Sequence, residues 1–174
     1  LATESSPTFF RYVDWILTVP LMCVEFYLLT KLAGAKKSLL WKLILASTWM
    51  LVCGYIGEAF SDGTTGHSVT WGVLSTIGYL YIAYTVWFGE VAQLAEKSNS
   101  DAIKKGVKYL AWFVLVGWSI YPIGYMCMEG GWLSSVMAPE SVDVWYNIAD
   151  AINKIGFGLV VYSIAIAESK KEVA

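Results

Sequence analysis

Five long apolar segments constrain the fold of this sequence more than any other feature. They cover residues 10–32, 39–60, 69–92, 107–128 and 144–167, and a helix needs about 20 such residues to cross a hydrocarbon core about 30 Å thick. The chain is 57% hydrophobic and 15% charged, whereas a soluble domain is about 45–50% apolar and about 25% charged. We therefore predict an all-α integral membrane bundle of five transmembrane helices, forming one domain over residues 1–174.

Lysines mark alternate connectors between these segments. The stretches LAGAKKSLLWK and EKSNSDAIKKGVK and the tail ESKKEVA are rich in lysine, whereas SDGTTGHS and EGGWLSSVMAPESVD contain neither Lys nor Arg. Lys and Arg concentrate in cytoplasmic loops of membrane proteins. The pattern predicts a multi-pass protein that starts outside the membrane and has a cytoplasmic C-terminus.

Composition also argues against several other classes of protein. Cys23, Cys53 and Cys127 all lie within apolar segments, and their number is odd, so we expect neither a disulfide framework nor a metal site. The net charge is −2 and the sequence has no basic patch, so we expect no nucleic-acid partner.

The first apolar segment, RYVDWILTVPLMCVEFYLL, carries ionisable groups that a lipid-facing helix would exclude. Asp14, Thr18 and Glu25 fall within roughly 40° of one another on a helix, Arg11 lies about 60° away, and Glu25 is about 16 Å further along. Charged groups in membrane helices face the bundle interior or a cavity. We predict that this polar stripe faces the interior of the bundle.

The last segment places Asp150 and Lys154 on one helix face, because they are spaced i,i+4. A lysine near the bilayer middle costs several kcal/mol unless it is paired, neutralised or covalently modified. Asp14 and Asp150 could pair with it, and a buried lysine can also form a Schiff base with a carbonyl compound. A purely structural ion pair that fixes helix register stays open here, but it leaves Glu25 without a cationic partner. A lone buried carboxyl should stay protonated and could serve as a proton reservoir.

Several motifs resemble one known family. RYVDWILTVPLMCVEFYLL, WSIYPIGY and DAINKIGFGL are similar to the third, sixth and seventh helices of microbial rhodopsins, and the chain most resembles proteorhodopsins. GYIGEAF and YTVWFGE extend the resemblance to essentially the whole chain. The family has seven helices, so the resemblance predicts that this chain lacks the first two and leaves an open flank between its first and last helices.

The resemblance implies roles for the charged residues. All-trans retinal would be bound to Lys154 as a protonated Schiff base, with Asp14 as principal counterion and proton acceptor. Asp150 would be the second counterion, and Glu25 would return a proton from the cytoplasmic side. The two remaining members of the set are Arg11, which would organise the outer charges, and Thr18, which would link Asp14 to Glu25.

The resemblance also implies a retinal pocket. Met22 occupies the position that tunes colour and predicts a green-absorbing pigment. Ordinary aromatic packing is the alternative for the aromatic residues of the sixth helix, and Glu58 is expected to be an interfacial carboxylate. The implied pocket residues are Trp15, Met22, Met50, Gly54, Ser75, Tyr79, Trp118, Tyr121, Pro122 and Tyr125.

These roles imply a light-driven outward proton pump, a transporter and not an enzyme, in the inner membrane of a bacterium. Lipid bilayer and retinal are the expected partners, and a homo-oligomer is the expected assembly. The alternative is a retinal-based light sensor that signals through a membrane partner. Sensors usually lack a carboxyl at the donor position, so Glu25 favours the pump. A retinal-free helical protein with structural ion pairs is the third possibility, and absorbance after addition of retinal would identify it.

Overall fold

The computed structural model describes residues 7–128 and 130–173, with side chains except at 139–140 and 171–173. The described part is a bundle of α-helices with one π-helical turn, at Phe113–Gly117. The α-helices are α1 (Thr8–Lys31), α2 (Lys37–Ala59), α3 (Thr65–Trp87), α4 (Glu90–Lys97), α5 (Asp101–Trp112), α6 (Ile120–Cys127) and α7 (Pro139–Val173).

Five stretches of the described chain are long and apolar enough to cross a membrane, which confirms the predicted all-α membrane bundle. They are Thr8–Lys31, Lys37–Ala59, Thr65–Lys97, Asp101–Cys127 and Ser141–Lys170. The helices begin earlier than the apolar segments where a polar cap is available. Ser100, for example, accepts a hydrogen bond from the Ile103 N–H and starts α5, which satisfies one of the free N–H groups of the first turn.

The third predicted helix, 69–92, is interrupted within its last turn. The Gly89 N–H donates to the Tyr84 carbonyl at 2.8 Å and closes α3. A Cβ at Gly89 would lie 2.7 Å from the Thr85 Cα, so the chain turns at a place that only glycine can occupy. It then continues as the short amphipathic helix α4.

The fourth membrane-spanning stretch is also irregular. Its backbone widens into the π-helical turn at Phe113–Gly117, and the Trp118 N–H donates to the Phe113 carbonyl at 2.9 Å. Pro122 follows in the first turn of α6 and has no N–H to donate. The Tyr121 N–H instead donates to the Trp118 carbonyl at 3.2 Å. The departure from regular α-helical hydrogen bonding therefore extends over two turns and is not confined to Pro122.

The helices alternate in direction, so the lysine-bearing connectors meet at one end of the bundle. Lys42 on α2 lies 3.6 Å from Glu90 on α4, and Ser100 hydrogen-bonds to Glu168 on α7. One apolar core lies toward this end, around Phe26 and Phe157. A second lies toward the other end, around Trp15 and Tyr146. The outward faces of α1 and α7 expose aliphatic side chains such as Leu17, Leu21, Ile152 and Ile155.

Candidate functional site

Lys154 lies between two carboxylates that come from opposite ends of the chain. Its Nζ contacts Asp14 on α1 and lies 3.2 Å from the Asp150 Oδ2, one turn earlier on α7. The Lys154 side chain is 28% exposed, and that of Asp150 is 20% exposed. The structure thus brings together the three groups that the sequence placed on the first and last helices, and the ion pair joins those helices.

Asp150 is oriented by two further donors. The Trp15 indole N–H donates to Oδ2 at 3.0 Å, and the Tyr121 hydroxyl donates to Oδ1 at 2.6 Å. An ionised carboxylate only accepts hydrogen bonds, and charge-assisted bonds of this kind are stronger than neutral ones. Both oxygens of Asp150 therefore have hydrogen-bond donors, and the Lys154 amine is one of them.

Arg11 organises a second cluster one turn nearer the start of α1. Its guanidinium contacts Glu58 on α2 and Asp143 on α7, and it lies over the Tyr146 ring at 4.9 Å from the centroid. A guanidinium above an aromatic face is attracted by the ring quadrupole. Glu58, which was expected to be an interfacial carboxylate, lies in the last turn of α2, where its side chain is 7% exposed and ion-paired to Arg11 inside the bundle.

A cavity adjoins the Lys154 cluster. Its free space, counted together with its open mouth, is about 810 Å³. Its lining includes Asp150, Lys154 and every residue implied for the pocket, namely Trp15, Met22, Met50, Gly54, Ser75, Tyr79, Trp118, Tyr121, Pro122 and Tyr125.

The cavity has further lining residues that the sequence analysis missed. Helical spacing could have predicted several of them. On α1, Tyr12 and Val19 share the face of Trp15 and Met22, and on α7, Tyr146 lies one turn before Asp150. The others come from α3, from α6, from the second core and from the position beside Lys154. The full set of missed residues is Tyr12, Val19, Leu51, Gly72, Thr76, Met126, Tyr146 and Asn153.

The polar stripe of α1 only partly faces the interior. Arg11 is buried, but the Asp14 side chain is 46% exposed on the flank between α1 and α7. Thr18 donates to the Asp14 backbone carbonyl at 2.9 Å, so its contact is with the main chain and not with the carboxylate. Glu25 is half-buried and lies outside the cavity lining, about 16 Å along the helix from Asp14.

Comparison with known proteins identifies the family. The chain matches, over residues 1–168, the sequence model of the family described as Bacteriorhodopsin-like protein. The chain belongs to this family. Relatives in it include the green-light absorbing proteorhodopsin of Gamma-proteobacterium EBAC31A08, which is 37% identical over 97% of the chain and 66% of its own length. The blue-light absorbing proteorhodopsin of Gamma-proteobacterium Hot 75m4 is 38% identical over 96% of the chain and 64% of its own length.

Solved structures of similar proteins share the fold. The crystal structure of Exiguobacterium sibiricum rhodopsin has a TM-score of 0.81 and 33% identity, and the match covers 96% of this chain and 75% of that one. The structure of xanthorhodopsin, described as a light-driven ion pump with dual chromophore, has a TM-score of 0.76 and 33% identity. That match covers 99% of this chain and 66% of xanthorhodopsin. The chain thus spans about two thirds of the lengths of the two proteorhodopsins and of xanthorhodopsin.

Proposed function

We propose that this protein is a light-driven outward proton pump that uses all-trans retinal bound to Lys154. The observation that carries the proposal is the placement of the Lys154 amine between Asp14 and Asp150, at the polar end of an aromatic cavity. The names of the relatives support it, since two are light-absorbing proteorhodopsins and xanthorhodopsin is a light-driven ion pump.

The cavity walls suit a long, planar, apolar chromophore. Gly54 and Gly72 lie where a side chain would fill the cavity: a Cβ at Gly54 would be 2.7 Å from the Tyr12 hydroxyl, and one at Gly72 would be 2.8 Å from a Tyr125 ring carbon. Aromatic and aliphatic side chains line most of the rest of the cavity. When bound on Lys154, retinal supplies visible absorption and a light-driven isomerisation that changes the proton affinity of the attached nitrogen.

The residues around Lys154 suit the outward half of proton transfer. Asp14 is the closest carboxylate to the Lys154 nitrogen and is half-exposed, so it can take a proton there and pass it toward the outside. Asp150 accepts hydrogen bonds from Trp15 and Tyr121, so its carboxyl group is held in place and serves as the fixed counterion. Arg11 holds a positive charge one turn away on α1, where Glu58 and Asp143 pair with it.

Glu25 suits the inward half of the cycle. It is half-buried on α1, on the side of the cavity that leads to the lysine-rich end of the bundle. We place that end in the cytoplasm of a bacterial cell, because basic residues concentrate in cytoplasmic loops. A proton held by Glu25 would then reach Lys154 from the inside. Export of each charge against the membrane potential costs about 2.3 kcal/mol per 100 mV.

Illumination of cells that express the protein and receive all-trans retinal tests this proposal. The external medium should become more acidic in the light, and a protonophore should abolish the change. The Lys154→Ala variant should form no visible pigment and should not acidify the medium. A coloured wild-type pigment that leaves the external pH unchanged would favour the sensor, and a normal pigment in Lys154→Ala would exclude Lys154 as the attachment point.

A further inference from the structure

The π-helical turn is connected to the Lys154 site by a buried amide. Two carbonyls in this turn accept hydrogen bonds from side chains of neighbouring helices: the Tyr79 hydroxyl on α3 donates to the Leu115 carbonyl at 2.9 Å, and Asn153 Nδ2 on α7 donates to the Gly117 carbonyl at 3.0 Å. A π-helical turn misaligns backbone carbonyls, and such turns are frequent at functional sites. Side-chain donors therefore complete the backbone hydrogen bonding within the turn.

Asn153 and Gly117 lie so close together that any larger residue at position 117 would displace the Asn153 amide. Asn153 is 3% exposed, and a Cβ built on Gly117 would overlap the Asn153 Oδ1. The amide orientation follows from its partner, because a carbonyl can only accept and must therefore face Nδ2. The contact is thus sterically specific as well as buried.

The same amide also determines where the Tyr121 hydroxyl points. Asn153 Nδ2 lies 3.3 Å from the Tyr121 hydroxyl oxygen, and this hydroxyl donates to Asp150 Oδ1 at 2.6 Å. A tyrosine hydroxyl has one hydrogen to donate. Because Asn153 donates to a lone pair of the Tyr121 hydroxyl oxygen, the hydroxyl hydrogen is directed to Asp150.

We propose that Asn153 is a positioning residue that ties the π-helical turn to Asp150 through the Tyr121 hydroxyl. It acts through Tyr121 and not by contact with the reacting atoms. Movement of the turn at Phe113–Gly117 would then change the hydrogen bonding of the counterion next to Lys154. The spectral part of this inference rests on the proposed function, whereas the hydrogen-bond chain itself does not.

Three variants and one control test the connection in the full chain. Asn153→Leu removes the donor at similar volume, and Gly117→Ala keeps Asn153 but forces its amide away. The third variant combines both changes. Asn147→Leu is the matched control, because Asn147 is an exposed asparagine on the same helix.

The first readout is the NMR resonance of the Tyr121 Cζ in labelled protein without retinal, because this carbon senses the hydrogen bonding of its hydroxyl. We expect both single variants to move this resonance, the double variant to move it no further, and Asn147→Leu to leave it in place. An unchanged Tyr121 resonance in both single variants, or additive shifts in the double variant, would overturn the proposal. If Asn153→Leu does not fold, Gly117→Ala decides by the same measurement.

The second readout is the visible spectrum and the photocycle of the pigment formed with all-trans retinal. Asn153→Leu and Gly117→Ala should absorb at shorter wavelength than the parent, because an Asp150 with a weaker donor concentrates more charge beside the Lys154 nitrogen. The decay of the deprotonated intermediate should change roughly fivefold, which corresponds to about 1 kcal/mol for one hydrogen bond. If the parent forms no pigment, the proposed function fails, and the Tyr121 resonance still decides the inference. If the parent forms a pigment, unchanged spectra and kinetics in both variants would overturn the inference about Asn153.

Discussion

Replacement of Glu58 by glutamine tests whether the outer charge cluster stabilises the bundle. Glu58 accepts from the Thr8 hydroxyl at 2.6 Å and from the Arg11 guanidinium, and the Arg11 and Glu58 side chains are each 7% exposed. Glu58→Gln removes one negative charge with little change of shape. The guanidinium keeps its contact with Asp143, whose side chain is 23% exposed.

The expected loss of stability follows from this geometry. Removal of one partner of a buried ion pair costs about 3–5 kcal/mol when the remaining charge is left uncompensated. Asp143 still compensates Arg11, so the cost should be close to that of one charge-assisted hydrogen bond, about 2 kcal/mol. In a chain of this size each kcal/mol corresponds to about 2–4 °C, so the midpoint of thermal unfolding should fall by about 4–8 °C.

The matched control is Glu90→Gln, because Glu90 forms an ion pair near the surface. Its carboxylate lies 3.6 Å from Lys42, and the two side chains are 35% and 53% exposed. Such pairs contribute about 0–1 kcal/mol and weaken as salt rises. Thermal unfolding in lipid nanodiscs, followed by circular dichroism at low and high salt, compares the two variants. If the midpoint of thermal unfolding falls equally for Glu58→Gln and Glu90→Gln, the inference that the buried Arg11–Glu58 pair contributes more stability than a surface ion pair is refuted.

The other predictions concern the proposed pump and the packing of the helices. Asp14→Asn should move absorption to longer wavelength and stop proton export, and undiminished export measured with a pH electrode would exclude Asp14 as acceptor. Glu25→Gln should leave the colour nearly unchanged and slow recovery of the Lys154 proton in flash photolysis; an unchanged decay would remove it from the donor role. Met22→Gln should shift absorption to shorter wavelength, because an amide dipole replaces a thioether along the cavity, and a constant spectrum would contradict that placement. Gly57→Ala should destabilise the protein by about 1–3 kcal/mol through overpacking against Tyr125, whereas Gly158→Ala, with open space around it, should stabilise it by about 0.5–1 kcal/mol, as measured by thermal unfolding.

Hydropathy predicts the number of membrane-length helices well, but it does not predict their internal breaks. The breaks at Gly89 and at the π-helical turn leave the apolar character of the segments unchanged, so hydropathy does not register them. The π-helical turn depends on which side chains of neighbouring helices supply donors to its freed backbone groups. Asn153 and Tyr79 have that role here, and their positions along the chain give no local sign of it.

The sequence predicts which residues share a helix face better than it predicts which face turns toward the interior of the bundle. The spacing of Asp150 and Lys154 places them together on α7 whatever surrounds them. The face that α1 turns to its neighbours is harder to read, because lipid and protein interior are both apolar and the hydrophobic contrast between faces is weak. This explains why the stripe was predicted to face inward as a whole, while Asp14 is 46% exposed and Arg11 is buried.

The sequence by itself determined the class of fold, the alternation of lysine-rich connectors and the charged residues that a membrane helix would not otherwise carry. These properties follow from the free energy of placing each side chain in lipid, which depends on residue type and position within a span. Only the tertiary structure decided that Asp14 reaches Lys154 across 140 positions of the chain, that Glu58 turns inward to Arg11, and that Asn153 meets Gly117. Contacts between helices depend on close approach and shape at a few positions, and a hydrophobic pattern shared with the lipid-facing surface cannot specify them.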